Sequence, residues 1–440
     1  MTFFISALFS TEFDSEDGAP LRQGVHVEWF RTVSPGNSGE AIFIWSDTRF
    51  GMRNIFAHKV NQAGDLLWGE TGTIVTNLPG RQEDPVSISD GNGGVFIGWI
   101  DYRFDAEGDV FIQHLDSNGN ILLDENGIAL ALIPGKQISI NMCTDSLGGV
   151  FVTWQDKRGG IDEDIYGTHI TANHDIISPG SGVPIVVAGG NQNAKSIEYA
   201  GNNEAFIAWV DYRDGANANI YGQRLDAIMT NQFEENGIPI ANTSNQELKP
   251  RVTFMSEETS FIVWKNGDQD SRLKYQLVDS EGLVFSESSF ISDFNAIQTA
   301  PRVKRSAIGE VFVNWKDLRF DATDGDQYFQ KIDINGEIQW GEGILLDENE
   351  FTNFSARFSA GQNGDVNIAY ELGTFPNIEI MMQNISSEGS FSFSTPLNIS
   401  NKDGYQFAPN LIGTVESGLF VIYADESSGS IDLKVQKVES

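Results

Sequence analysis

A large aromatic returns along this chain at intervals of 54, 55, 55, 55, 51, 55 and 53 residues: Trp45, Trp99, Trp154, Trp209, Trp264, Trp315, Tyr370 and Tyr423. Each ends an apolar run. In five copies it opens a Trp-x-Asp-x-Arg motif, first as Trp45-Ser46-Asp47-Thr48-Arg49 and again at Asp101/Arg103, Asp156/Arg158, Asp211/Arg213 and Asp317/Arg319. Trp264 is followed instead by Lys265-Asn266-Gly267, and of the motif after Tyr423 Asp425 survives. A strand-rich period near 55 residues means a propeller or an array of small units.

Each copy contains four strand signals. In the second they are Pro85–Ser89, Val95–Trp99, Val110–Leu115 and Ile121–Leu132, with turns at Asp90-Gly91-Asn92-Gly93-Gly94 and Ser117-Asn118-Gly119. The glycines supply the positive φ angles of tight hairpins. Four antiparallel strands per unit make a propeller blade. The expected fold is therefore all-β: one eight-bladed β-propeller spanning residues 1–440. The last copy has three strands. Ile5–Phe13 resembles a fourth strand without its blade, so residues 1–14 are expected to complete the last blade and close the ring, removing the exposed sheet edges. This reading takes the apolar start of the chain as strand rather than signal peptide, because it has no basic stretch and no small-residue cleavage site.

A second register supports the count. An amide lies seventeen residues before most of the aromatics, at Gln82, Gln137, Gln192, Gln298, Asn353 and Gln406, with Gln246 eighteen before Trp264 and Gln23 earlier still. An amide in each blade-to-blade connection suits hydrogen bonding to loop backbone.

The run Ser89-Asp90-Gly91-Asn92-Gly93-Gly94-Val95-Phe96-Ile97-Gly98-Trp99-Ile100-Asp101-Tyr102-Arg103 resembles the tandem propeller repeats of exported bacterial proteins, especially those of Bacteroidota, where they often precede a type IX secretion sorting domain. The resemblance covers nearly the whole chain. It implies the propeller and an exported, cell-surface or periplasmic, binding or secretion-associated role. No sorting domain is expected after the last blade.

Charge narrows the partners. With 28 Lys and Arg against 62 Asp and Glu, the net charge is −34. Nucleic acid and anionic membrane surfaces are poor partners for such a chain. No apolar run approaches a spanning helix. The lone Cys143 is expected to be a buried, inert thiol.

Asp and Arg two apart on a strand share a face. Their recurrence points to ion pairs or backbone hydrogen bonds that fasten blade to blade, since catalysis needs one dyad and not five. The loops after them are acidic: Asp105, Glu107 and Asp109, then Asp162, Glu163 and Asp164, then Asp321, Asp324 and Asp326. They are weak calcium candidates, because no loop has the ligand spacing of an EF-hand. No cofactor is otherwise implied. Asn54, Asp109, Asp164 and Asn219 suit turn capping just before the third strands. His114 and His169 share a third-strand slot with Lys59, Arg224 and Lys331, which reads as surface pairing with acids. The sialidase Asp-box is absent, because Asp90 and Trp99 are nine residues apart where five are needed.

The expected function is a monomeric, non-enzymatic scaffold binding a protein or glycan on the face that carries the Asp-x-Arg loops. The alternative is a carbohydrate-active enzyme, a glycoside hydrolase or lyase, on the same fold; no catalytic residue can be assigned. Positions that break the repeat are the ligand-binding candidates: Tyr102, Phe104, Lys157, Tyr212 and Phe320.

Overall fold

The computed structural model describes residues 19–20 and 28–438, apart from 38, 62–64, 257, 286, 321–324, 348–355, 362, 401–403, 415–417 and 427–431. The described residues are all strand, turn and loop, and they form eight small antiparallel sheets in a ring, an eight-bladed β-propeller. We number the blades 1–8 by their aromatics, Trp45 to Tyr423. Blade 2 shows the common plan, with strands Gln82–Ser89, Val95–Asp101, Asp109–Leu115 and Ile128–Ala131 joined in sequence order.

The two middle strands are buried along their length, because each blade is sandwiched between neighbours. This accounts for the continuous apolar run before each aromatic, where a half-exposed strand would alternate. Trp99, Trp154 and Trp209 are fully buried, and each packs against the preceding blade: Trp99 on Ile42, Ile44 and Ile55, Trp154 on Phe96, Ile100 and Ile112, and Trp209 on Phe151, Ile165 and Ile185. Each of these rings is covered at its edge by a glycine of its own blade with positive φ, Gly127, Gly182 and Gly237, where a Cβ would overlap the indole.

Blade 8 comprises Gln406–Thr414, Gly418–Asp425 and Asp432–Val438, and its fourth strand comes from the other end of the chain. That strand is Ala19–Pro20, with Ala19 opposite Val435 and Pro20 opposite Lys434. The N-terminal part of the chain thus closes the ring; Ile5–Phe13, where the sequence pattern put this strand, lies outside the described residues. Across the closure Phe43 of blade 1 meets Phe420 of blade 8 edge-on at 6.4 Å.

First strands of successive blades adjoin around the axis, including those of blades 8 and 1. Each pairs with its second strand on one edge and leaves the other towards the axis. Serine and threonine hydroxyls bridge them, as in Ser34 to Ser87 at 2.8 Å. Most first strands carry a β-bulge two residues after the amide slot. The bulged residue is left-handed although it is not glycine: Asp84, Ser139, Lys249, Ala300 and Ala408, with φ of 50–56°. A bulge bends the strand and re-aims its side chains.

Candidate functional site

The Trp-x-Asp-x-Arg motif forms a latch inside its own blade, where sequence spacing had suggested a blade-to-blade fastener. In all five copies the indole Nε1 donates to Oδ2 of the aspartate, at 3.1 Å from Trp45, 3.0 Å from Trp99, 2.9 Å from Trp154, 2.7 Å from Trp209 and 2.9 Å from Trp315. The arginine Nε donates to Oδ1 of the same carboxylate, at 2.7 Å for Arg103 to Asp101. Its guanidinium lies over a third-strand ring, 3.7 Å from Tyr166 for Arg158 and 3.9 Å from Tyr221 for Arg213. It also reaches the loop before the fourth strand, as in Arg158 Nη2 to the Ser181 carbonyl at 2.7 Å. Charge-assisted bonds, a stacked cation and a buried indole thus share one carboxylate.

The blade-to-blade connection is made next door. Backbone N–H groups of Gln82, Gln137 and Gln298 donate to carbonyls of the preceding blade at 2.9, 3.0 and 2.8 Å. Each of these glutamines lies opposite the motif aspartate, as Gln82 does Asp101. Blade 5 exchanges the two groups. Glu247 occupies the amide slot and Asn266 the aspartate slot; Trp264 donates to Glu247 Oε2 and Asn266 to Glu247 Oε1, both at 2.7 Å. Gln246, the amide read from sequence, instead receives the Ala218 N–H at 3.1 Å. Gln23 and Asn353 lie outside the described residues.

The basic third-strand slot is paired with acids, but in the interior and not at the surface. Lys59, His114, His169, Arg224 and Lys331 are at most 8 % exposed. Lys59 meets Glu40 at 2.6 Å, His114 meets Asp90 at 3.0 Å, His169 meets Asp145 at 3.0 Å, Lys331 meets Glu310 at 3.0 Å, and Arg224 pairs with Glu204. Several also cross to the next blade, as Lys59 does to the carbonyls of Gly93 and Ser117 at 3.1 and 3.0 Å. This is a second ring of fasteners, on the hairpin-turn side.

The five ligand-binding candidates fall on four blades, with Tyr102 and Phe104 together on blade 2, Lys157 on blade 3, Tyr212 on blade 4 and Phe320 on blade 6. Phe104 and Phe320 stand 65 % and 75 % exposed. Phe104 stacks on Phe111 with centroids 6.1 Å apart. Tyr102 is half-buried under the Arg81 guanidinium at 4.0 Å, and Lys157 is half-buried in its loop. Tyr212 lines an open cavity of about 540 Å³ with Asp162, Asn191, Asn193 and Arg213; the other four candidates are not part of it.

Of the calcium candidates, Asp321 and Asp324 lie outside the described residues. Asp105 is engaged by backbone, accepting from Glu107 N at 2.8 Å and Gly135 N at 3.2 Å. Among the described residues no three His, Cys, Asp or Glu side chains are grouped to hold an ion. Asp109 is buried, and burial, then the charges of Asp105 and Asp101, push its pKa up to about 6. Cys143 is buried, which raises its thiol pKa well above the usual value.

A feature missed by sequence reasoning lies on the channel wall. Residues thirteen before each aromatic occupy one level of the first strands: Thr32, Val86, Asn141, Ser196, Arg251, Arg302, Arg357 and Asn410. Each lies opposite the residue preceding the aromatic, as Arg251 does Val263, Arg302 does Asn314 and Arg357 does Ala369. Three adjacent blades thus set arginines at the same height. A cavity of about 450 Å³ continues the arc, lined by Ser139, Asn141, Gln155, Lys195, Ser196, Lys249 and Arg251. The spacing of thirteen was the available signal, but it emerges from the repeat only in three of eight copies.

No protein-family profile matches the chain, and no curated protein matches it. Solved structures do. A protein of unknown function from Dyadobacter fermentans is 12 % identical over 98 % of this chain and 99 % of its own, with a TM-score of 0.45. A polysaccharide lyase, ulvan lyase, is 8 % identical over 98 % of this chain and 94 % of its own, with a TM-score of 0.48. A puromycin-hydrolyzing peptidase from Mycobacterium tuberculosis is 10 % identical over 95 % of this chain and 60 % of its own, with a TM-score of 0.47. These are likenesses of fold.

Proposed function

We propose that this chain is a non-enzymatic binding module of an exporting bacterium, holding a protein or glycan partner on the Asp-x-Arg face. The observation that carries this reading is the use of the five recurrent carboxylates. Asp47, Asp101, Asp156, Asp211 and Asp317 are at most 1 % exposed, and each is held by its own tryptophan and arginine. The recurrent chemistry is architecture. What is exposed on the same face varies between blades: the slot after the motif arginine holds Phe50, Phe104 and Phe320 in three blades but Gly159 and Asp214 in two, and Tyr212 stands at its cavity. Aromatic rings with polar edges nearby suit sugar faces and peptide side chains. The surrounding acidity favours cationic partners and faster encounter at low salt.

A glycan panel and a set of basic peptides, presented to the full chain, test this. Binding is expected to weaken about tenfold in Phe104→Ala and Tyr212→Ala, with melting unchanged. Turnover of any glycan of the panel would replace this reading with the carbohydrate-active one. Loss of binding on substitution of Asn92 or Leu147 in the hairpin turns would put the site on the opposite face.

A further inference from the structure

We infer that the central channel holds an oxyanion site, formed by Arg251, Arg302 and Arg357 on adjacent blades, for a ligand bearing at least two carboxylate, sulfate or phosphate charges. This goes beyond the loop-face reading and does not depend on it.

The placement comes first. The three arginines stand at one level of the first strands Glu247–Ser256, Gln298–Arg305 and Ala356–Ala360, which adjoin around the axis. All three are half-buried. Their nearest level neighbours on the far side are uncharged, Asn410, Thr32, Val86, Asn141 and Ser196.

Their partners come second. Arg251 donates to the adjacent Pro250 carbonyl at 2.8 Å, and the Arg302 guanidinium has no hydrogen-bonding or ion-pairing partner among the described residues. Arg357 donates to the Ala356 carbonyl at 3.1 Å and lies near Glu371, whose Oε1 receives the Ala408 N–H at 2.5 Å. In the five latches and the five third-strand pairs a buried cation is given an acid. Here, in a molecule carrying 62 acids and 28 bases, three guanidiniums lie near enough that Arg357 and Arg251 both act on Arg302, with Glu371 beside Arg357.

The electrostatics agree. Burial, and then the charges of Arg357 and Arg251, push the Arg302 pKa down to about 10. Burial also lowers Arg251, and lowers Arg357 against the opposing pull of Glu371. Like charges held out of water are costly unless compensated. An oxyanion compensates them by bidentate bonds to planar forks, which guanidinium suits better than ammonium. Lys195 and Lys249 line the adjoining cavity, where burial lowers the pKa of both, Lys195 to about 7, so an anion there would draw a proton onto them. Glu198 lies lower on the blade 4 first strand near Lys304 and Arg305, and Glu163 lies near Lys195. The cavity has room for a group of several heavy atoms.

Calorimetry and melting of the full chain at low ionic strength test the site, with sulfate, phosphate, citrate and an oligogalacturonate as probes. At least one probe is expected to bind and to raise the melting temperature, with affinity reduced tenfold or more in Arg302→Gln and Arg251→Gln. Lys274→Gln, on the third strand of blade 5, serves as the control and should bind as wild type. Without any probe, Arg302→Gln should melt at or above the wild-type temperature, because it relieves repulsion. That result separates a ligand site from a structural arginine, whose loss would lower melting. Binding of the small anions marks a free oxyanion as ligand, and binding confined to the oligogalacturonate marks an acidic glycan. Absence of binding by all four probes, or equal affinity in Arg302→Gln, overturns the inference.

Discussion

At the scale of single residues, the molecule repeats one solution and varies it where chemistry allows. Trp99 and Trp154 are fully buried at blade interfaces and each donates to an aspartate. Replacing either by alanine should cost roughly 3–5 kcal/mol in denaturant unfolding, the range for a buried large aromatic. Near-wild-type stability would mean the interface collapses around the loss. Blade 5 offers a sharper test. Glu247→Gln removes the carboxylate that Trp264 and Asn266 share, and should cost about 1–3 kcal/mol for the stranded donors. Adding Asn266→Asp rebuilds the glutamine–aspartate pair of the other blades and should recover most of the loss. A double variant no better than the single one would show that blade 5 is not interchangeable with its neighbours. Asp109 and Asp164 start third strands where blades 1 and 4 have Asn54 and Asn219. Burial chiefly raises both carboxyls to a pKa of about 6. The folded state therefore holds these protons more tightly than the unfolded chain. The stability they contribute is full below pH 4 and is lost as pH rises through about 6. Asp109→Asn should raise the melting temperature at pH 7.5 by roughly 1–3 °C and flatten its decline between pH 4 and 7. A lower melting temperature at pH 7.5 would show that the carboxylate is compensated after all.

Among the elements, strands were legible and their irregularities were less so. The buried middle strands announce themselves by continuous apolar runs ending in Trp, and hairpins by Asp-Gly-Asn-Gly-Gly, in which Asp90 Oδ1 accepts the N–H of Asn92 and of Gly94 at 2.7 and 2.9 Å. The first-strand bulge left a subtler trace, a proline after the bulged residue in four of the five copies, Pro85, Pro250, Pro301 and Pro409, which the sequence reading passed over. Asp84, Ser139, Lys249, Ala300 and Ala408 share a left-handed backbone but no residue type, because tertiary context imposes the conformation. The Glu247/Asn266 exchange was also hidden, since a neighbouring glutamine one residue away mimics the pattern. The third-strand bases read as surface groups because sequence shows their polarity and not the next blade that covers them. Of the candidate site, the loop aromatics could be read as breaks in the repeat. The arginine arc could not, because it is a property of three neighbouring blades and not of the repeat. One element carries a further prediction. Removing residues 1–20 deletes Ala19–Pro20 and leaves Asp432–Val438 as an open edge. Melting should fall clearly, and self-association through the bare edge should appear in sedimentation. Unchanged melting with no self-association would show that blade 8 is complete without it.

Taken as a whole, the molecule pairs a strongly negative exterior with a positive arc at its axis. The exterior governs which partners approach; the arc governs what is held within. The ring itself sets a schedule. Ala19 and Val435 face each other although more than four hundred residues separate them along the chain. Ala19–Pro20 is thus made well before the strand it pairs with. Blades 1 to 7 are each built from contiguous chain and can form in order of synthesis, by local contacts that close quickly. The final seam waits for blade 8, and it carries the cost of joining distant parts of the chain. Until then the N-terminal stretch has no partner strand, and blade 8, once made, lacks its outer strand. A cell that makes this protein must keep both from other strands for that interval, and one that exports it has reason to move the chain before the seam is made.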